Sequence, residues 1–89
     1  MIREKEASKM TLELFLKKRR KNKSMTQADL AKHLGLKSPQ FISNTERGRC
    51  QWPHTYFKKL STKLDVDMDI LIKLRVKDFK DRLEVEVAE

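Results

Sequence analysis

A run of basic side chains is the first feature of this sequence that has an obvious chemistry. Six cations fall within seven consecutive positions: Lys17, Lys18, Arg19, Arg20, Lys21 and Lys23. Such a density suits a polyanion, above all nucleic acid. It is also typical of a solvated helix end, because cations near a helix C-terminus interact favourably with the helix dipole. The run alone therefore leaves both interpretations open.

The residue types used in catalysis and metal binding are scarce and widely spaced. His33 and His54 lie 21 positions apart, and Cys50 is the only cysteine. This leaves no zinc-ligand spacing, no catalytic triad and no glycine-rich loop for phosphates. We therefore expect no enzyme activity, no metal, no cofactor and no small-molecule ligand.

Length and composition set further limits. The chain has 89 residues and a formal net charge of +8, which suits one domain with a single modest core. Residues 1–63 carry the basic excess, and the remainder carries more acids than bases. The longest apolar runs are two or three residues, whereas a membrane span needs about 20, and no secretory leader is recognisable. With a lone cysteine, we expect a soluble, cytoplasmic protein without membrane association.

The spacing of apolar residues predicts a first helix behind a flexible N-terminal arm at residues 1–9. Ser8 or Thr11 is its N-cap, and the helix ends in the basic run. Thr26 caps a second helix of two turns, which ends where Gly35 adopts a left-handed conformation. The predicted apolar face of this second helix comprises Ala28, Ala31 and Leu34, supported by Leu30.

Three more helices are predicted in the second half of the chain. Ser38 as N-cap and Pro39 as first helical residue begin a third helix that runs to Arg47. A fourth helix occupies residues 54–64, and Asp67 caps a final one. Two short helices joined by a tight glycine turn and preceded by a basic helix can place one helix in the major groove of DNA.

The segment from Thr26 to Arg49, TQADLAKHLGLKSPQFISNTERGR, resembles the helix-turn-helix of the lambda-repressor/Cro-like family of bacterial and phage regulators. The residues that carry the resemblance are Thr26-Gln27, Leu30-Ala31, Gly35, Ile42 and Glu46-Arg47-Gly48, with a weaker continuation at Leu64, Val66, Asp67 and Leu71. The resemblance extends from Leu12 to Ile72. It implies an all-α fold, a compact five-helix lambda-repressor-like helix-turn-helix domain with an extended C-terminal helix.

Two positions depart from the family pattern. The interval from Gly35 to Gly48 is one residue longer than in most members, and the extra residue falls in the turn near Leu36. The resemblance therefore does not fix which residues at the start of the third helix read bases. Thr45 stands where the family has a large apolar residue, and we expect Trp52 to fill that part of the core.

The third helix carries the predicted base-reading residues on the face opposite Phe41, Ile42 and Thr45. The amide of Gln or Asn can both accept from and donate to adenine, whereas Arg prefers guanine or phosphate. The predicted base readers are Gln40 and Asn44 as first choices, followed by Ser43 and Ser38. A cap of the third helix is the second interpretation of Ser38, and the one we favour.

Side chains around the third helix are predicted to bind phosphates, which fixes docking register without reading sequence. They are Gln27, Lys37, Arg47, Arg49 and Lys23. For Gln27, which lies at the start of the second helix, the alternative is a solvated surface residue. The resemblance also implies an ion pair between Arg20 and Glu46 that ties the first helix to the third. A free arginine within the basic run is the alternative.

The C-terminal segment carries more apolar residues than one helix face can bury. Ile70, Leu71 and Leu74 can complete the core, and a second series follows at spacings of four, three and four: Ile72, Val76, Phe79 and Leu83. That spacing is typical of a helix-pair seam and predicts dimerisation. The alternatives are a helix folded back over the core, or a short strand through Leu83, Val85 and Val87. We accordingly divide the chain into an arm (1–9), a DNA-binding domain (10–75) and a dimerisation element (76–89).

Two classes of function are consistent with these features. The first is a homodimeric, sequence-specific regulator of transcription that binds double-stranded DNA, a repressor reading a palindromic operator. An antitoxin-type or controller-type autoregulator that also binds a protein partner is a variant of it. The second is a protein-interaction module that uses the same fold without sequence-specific DNA binding. The basic excess in residues 1–63 favours the first.

Overall fold

The computed structural model describes residues 11–88, so the predicted arm at residues 1–9 lies outside the described residues. Within this range the chain forms five α-helices and one 3₁₀ turn, and no strand. The elements are α1 (Leu12–Asn22), α2 (Gln27–His33), α3 (Gln40–Glu46), the 3₁₀ turn (His54–Tyr56), α4 (Phe57–Leu64) and α5 (Met68–Ala88). The predicted all-α, five-helix fold is confirmed.

One apolar core unites the five helices. Its buried members are Leu12, Leu16, Leu30, Ala31, Leu34, Ile42, Trp52, Phe57, Leu60, Leu64, Val66 and Leu71. Two predicted core residues are exposed instead: Ala28 of α2 and Ile70 of α5. In α2 the buried stripe is centred on Leu30 and Leu34, and in α5 Ile70 lies a quarter-turn or more from fully buried Leu71. The prediction therefore made the buried face of each of these two helices too wide.

Threonine side chains begin the first two helices. Thr11 Oγ1 accepts a hydrogen bond from the backbone N–H of Leu14 at 3.1 Å. Thr26 does the same for Asp29 at 3.0 Å, and the Asp29 carboxylate accepts in return from the Thr26 N–H, which completes a capping box. Each threonine thereby satisfies one of the first-turn N–H donors that have no partner within the helix.

The first three helices end at a residue with positive φ: Ser24 (55°), Gly35 (74°) and Gly48 (79°). After α2, the N–H of Gly35 donates to Lys32 O and the N–H of Leu36 donates to Ala31 O. These are the two hydrogen bonds of a Schellman motif. Leu36 then packs against the core, so both backbone hydrogen bonds and side-chain packing fix this turn.

The start of α3 differs from the prediction by one residue. The first helical hydrogen bond runs from the Ser43 N–H to Pro39 O at 3.0 Å, which makes Pro39 the N-cap and Gln40 the first helical residue. Ser38 is therefore not the N-cap, although its Oγ lies 3.4 Å from the backbone N of Gln40. Pro39 already has near-helical backbone angles (φ −77°, ψ 0°). Its carbonyl can for that reason accept the bond that the prediction assigned to Ser38.

Helix α5 is continuous from Met68 to Ala88, starting directly after Asp67. The strand alternative for Leu83, Val85 and Val87 is thus excluded. The helix crosses residue 75 without interruption, so the proposed dimerisation element continues the helix that completes the core. No helix among residues 11–88 is long and apolar enough to cross a bilayer.

Candidate DNA-binding surface

A buried hydrogen-bonded network joins the three helices of the predicted DNA-binding unit. Arg20 of α1 donates to both carboxylate oxygens of Glu46 at the end of α3, from Nε at 2.7 Å and from Nη2 at 2.9 Å. Gln27 of α2 donates to Glu46 Oε1 at 2.8 Å. The side chains of Arg20 and Glu46 are 8% and 4% exposed. Arg20 Nη1 also donates to Met25 O, so this guanidinium is engaged inside the domain.

The charge state of Glu46 follows from this network. Burial by itself raises the pKa of the Glu46 carboxyl, but the hydrogen bonds from Arg20 and Gln27, together with the positive charges of Arg20 and Lys17, leave the pKa below its ordinary value. Glu46 is therefore a carboxylate at neutral pH. A bidentate Arg–carboxylate pair has a strict geometry, so the pair fixes the orientation of α3 relative to α1.

The opposite face of α3 presents polar side chains to solvent. Gln40 is exposed, and Ser43 and Asn44 are half-buried. Gln40 Nε2 donates to Asn44 Oδ1 at 3.1 Å, one helical turn away. This hydrogen bond restricts the rotation of both amide groups and leaves Gln40 Oε1 and Asn44 Nδ2 for other partners. Such a pair offers acceptor and donor atoms of the kind that the adenine edge requires.

Three of the predicted phosphate ligands are exposed cations near the ends of α3. Lys37 precedes the helix, and Arg47 and Arg49 follow it. Their side chains form no hydrogen bond or ion pair with any residue in the range 11–88. Their full charge is thus available to a polyanion that approaches α3.

The basic run of α1 is divided between structural and exposed side chains. Arg20 is part of the Glu46 network, and Arg19 Nη2 donates to the carbonyl oxygens of Leu64 and Asp65, both at 3.1 Å. Arg19 therefore stabilises the C-terminal end of α4. Lys18 and Lys21 remain exposed. The first interpretation of the run, a surface for polyanions, applies to only part of it.

Lys23 is engaged away from α3. Its ammonium forms an ion pair with the carboxylate of Asp65, in the turn between α4 and α5. The hydrogen bond from Lys23 lowers the pKa of Asp65. Because the Lys23 ammonium is already paired with Asp65, we leave Lys23 out of the phosphate-binding set proposed below.

A second buried carboxylate is absent from the sequence-based predictions. Glu13 of α1 is 6% exposed, and its Oε2 accepts from the backbone N–H of Trp52 at 2.9 Å and from Arg75 Nη2 at 2.7 Å. Arg75 also donates to Trp52 O at 3.1 Å. The three residues tie α1, the loop after α3 and α5 together. Helical spacing could have indicated their position beside the core, because Glu13 lies three residues before buried Leu16 and Arg75 lies four residues after buried Leu71.

Aromatic contacts connect the Glu13 cluster to α3. The rings of Trp52 and Phe41 meet edge to face, with centroids 5.3 Å apart. Tyr56 packs on Trp52 at 5.6 Å. Trp52 is 2% exposed and Thr45 is fully buried, with Thr45 Oγ1 donating to Ile42 O at 2.8 Å. Trp52 is thus a core residue that packs against the buried side of α3.

No group of His, Cys, Asp and Glu side chains that could hold a metal ion occurs in the part of the chain that the structure describes. The features that stand out are instead the helix pair α2 and α3, the exposed amides on α3 and the cations around it. These features define a helix-turn-helix domain.

Comparison with known proteins supports this assignment. A family model described as helix-turn-helix matches residues 16–71, and the chain belongs to this lambda-repressor/Cro-like family of DNA-binding regulators. A similar solved structure is the clp gene regulator ClgR from Corynebacterium glutamicum, with 20% sequence identity and a TM-score of 0.62. The match covers 86% of this chain and 83% of that chain, and shows a shared fold. No curated protein matches the sequence.

Proposed function

We propose that this protein is a sequence-specific transcriptional repressor that binds a palindromic operator in double-stranded DNA as a homodimer. The observation that carries the proposal is the Gln40–Asn44 amide pair on the solvent-facing side of α3, whose orientation is fixed by the Glu46 network on its buried side. In this assignment Gln40 and Asn44 read bases in the major groove, and Ser43 lies between them. Ser38, at the approach to α3, is a further base-edge contact.

Phosphate binding is assigned to Lys37, Arg47 and Arg49 at the ends of α3, and to Gln27 beside it. Gln27 uses one N–H of its Nε2 for Glu46, which leaves a second N–H for a phosphate oxygen. These contacts set the register of the domain on DNA but carry no sequence information. They also predict that binding weakens steeply with salt, because each phosphate contact releases counterions.

We assign repression because of the way such a dimer would act on a promoter. A dimer bound to an operator that overlaps a promoter excludes polymerase, and we propose that its own concentration or a protein partner controls this repression. The exposed apolar face of α5 is the one observation that favours a partner as well as a second copy. An antitoxin-type or controller-type autoregulator is therefore the second candidate.

Selection of bound sites from a pool of random duplexes tests the proposal. We expect one enriched motif with two-fold symmetry and half-sites about 34 Å apart, one turn of B-DNA. Enrichment of no motif, with binding that depends on salt alone, would favour the interaction module over the sequence-specific regulator.

A further inference from the structure

Helix α3 is supported at two edges of its buried face. Glu46, its last residue, anchors one edge through Arg20 and Gln27. Phe41, its second residue, contacts Trp52 at the other edge, with ring centroids 5.3 Å apart. At about 100° per residue, Phe41 and Glu46 lie about 140° apart around the helix axis. The Glu46 network therefore holds the end of α3, and the Trp52 contact restrains its first turn.

The first turn of α3 carries Gln40, one of the two proposed base readers. A helix with its side chains is about 10–12 Å across, so a rotation of about 10° moves a side-chain tip by about 1 Å. A hydrogen bond tolerates less than that, because its donor and acceptor must lie about 2.7–3.2 Å apart. A small displacement at the Trp52 contact is therefore sufficient to misalign Gln40 and Asn44 with base edges. Phosphate contacts made by long, exposed cations are much less sensitive to it.

Two charged side chains hold Trp52 by its backbone. The Glu13 carboxylate accepts from the Trp52 N–H at 2.9 Å, and Arg75 Nη2 donates to Trp52 O at 3.1 Å. The same Nη2 donates to Glu13 Oε2 at 2.7 Å, which closes a ring of three contacts. Within residues 11–88, no backbone–backbone hydrogen bond holds residues 50–52. The Glu13 cluster of Glu13, Trp52 and Arg75 therefore fixes the backbone from which the indole ring projects.

Both charged members of the Glu13 cluster lie outside the pair of helices α2 and α3. Glu13 is in the first turn of α1, and Arg75 is on α5, one turn after fully buried Leu71. A buried ion pair contributes little net stability compared with apolar packing, but it holds its partners in one geometry. The arrangement is therefore better suited to positioning the indole than to stabilising the core.

We infer that Glu13 and Arg75 are positioning residues for base reading. They hold Trp52, Trp52 restrains Phe41, and Phe41 aligns the first turn of α3. The sequence specificity of DNA binding thereby depends on α5, a helix that carries none of the proposed DNA contacts. The inference rests on the proposed function, because it requires that α3 reads bases. It deepens that function by assigning the alignment of α3 to two residues distant from it in sequence.

Binding of Arg75→Met to two half-site duplexes, one selected and one shuffled, tests the inference without involving dimerisation. We expect a loss of about 10-fold to 100-fold on the selected half-site, the equivalent of one or two misaligned amide contacts. The matched control is Lys73→Met, which removes an exposed cation from the same helix. On the shuffled half-site the two variants should bind alike, and Arg75→Lys should recover part of the selected-site affinity. An equal loss by Arg75→Met on both duplexes, or no loss, would overturn the inference.

A double-mutant cycle tests whether Arg75 acts through Phe41. Phe41→Leu removes the ring contact with Trp52 but keeps the three hydrogen bonds of the Glu13 cluster, and it should lower selected-site affinity by a similar factor. The double variant Arg75→Met/Phe41→Leu should lose no more than the larger single loss, because both changes interrupt one chain of contacts. Losses that multiply, or full specificity in Phe41→Leu, would contradict the inference. If circular dichroism shows that Arg75→Met is unfolded, Arg75→Lys replaces it in the cycle.

Fluorescence reports the position of the indole directly, because Trp52 is the only tryptophan of the chain and is 2% exposed. In Arg75→Met with full helix content, we expect red-shifted emission and stronger quenching by acrylamide, whereas Lys73→Met should match the wild type. Unchanged emission from Arg75→Met would refute the positioning role. A wild type without preference for the selected half-site would refute the proposed function. A wild type and a folded Arg75→Met that discriminate equally would refute the positioning role alone.

Discussion

Gln27 Nε2 donates a hydrogen bond to Glu46 Oε1 at 2.8 Å and so joins the first residue of α2 to the last residue of α3. The same carboxylate oxygen also accepts from Arg20. Gln27 therefore combines two tasks that the sequence alone did not connect: it is a proposed phosphate ligand, and it holds the two short helices of the motif together.

Replacing Gln27 with Ala should accordingly affect both DNA binding and folding. We expect weaker binding to every DNA sequence and a fall in the free energy of unfolding of about 1.5–3 kcal/mol, the range for a hydrogen bond to a charged group. Lys37→Ala is the matched control, since Lys37 is exposed and should weaken binding without changing stability. Urea denaturation and binding titrations measure the two effects. Equal stability of wild type and Gln27→Ala would contradict a structural role.

The Glu46 network should make the domain sensitive to acid. Because the pKa of Glu46 is lower in the folded protein than its ordinary value, its ionisation stabilises the fold fully above that ordinary value. This stability is lost as the pH falls through the lower, folded-state pKa. Urea denaturation at a series of pH values measures the loss, and the Glu46 carboxyl carbon, followed by NMR, should titrate below ordinary glutamates. The exposed Glu84→Gln variant should keep the same profile, and an unshifted Glu46 titration would argue against the network.

The Glu13 cluster should stabilise the attachment of α5. Glu13→Ala removes the acceptor of the Trp52 N–H and the carboxylate partner of Arg75, which keeps only the Trp52 carbonyl. We expect a loss of about 3–5 kcal/mol in the free energy of unfolding. The exposed Asp69→Ala variant, which also removes a carboxylate, should cost less than about 0.5 kcal/mol. Hydrogen exchange of the α5 amides provides a local measurement. Unchanged protection in α5 would show that Glu13 does not hold this helix.

The two helix-ending residues Gly35 and Ser24 should respond to substitution in opposite directions. Gly35 has φ of 74° with no atom within 4 Å of an added Cβ, so Gly35→Ala should cost about 1–2 kcal/mol through backbone strain alone. Ser24 has φ of 55°, and Ser24→Gly should relieve a similar strain, offset in part by the entropy of the unfolded chain. Thermal denaturation of both variants would test this. A stabilised Gly35→Ala would contradict the left-handed turn.

The helices were predictable where local chemistry determines them. Thr11 and Thr26 as caps, and Gly35 and Gly48 as helix ends, need only neighbouring residues to act. The partners of Glu13, Arg19 and Lys23 were not predictable, because each contact joins residues 39 or more positions apart. A charged residue in a basic run has the same local pattern whether it pairs across the core or faces solvent.

The predicted DNA-contacting residues also differ in how well the sequence alone could place them. Gln40 and Asn44 follow from helical spacing on α3, since each turn repeats the same face. The role of Ser38 depends instead on where the helix starts. The N-cap is Pro39, one residue later than predicted. Gln27 was expected at the surface, yet it is half-buried, because the buried Glu46 carboxylate attracts its amide.

The central claim is that α3 reads bases through Gln40 and Asn44 while the surrounding side chains bind phosphates. The most direct measurement is the affinity of wild type and of the Gln40→Ala/Asn44→Ala variant for a selected site and for a shuffled site, from about 50 to about 200 mM salt. The account predicts that the variant loses on the order of 1–3 kcal/mol per residue on the selected site, little on the shuffled site, and keeps the wild-type salt slope. Arg49→Ala should instead lose affinity on both sites, with a slope smaller by about 0.9. An equal loss by the amide variant on both DNAs would contradict base reading by α3.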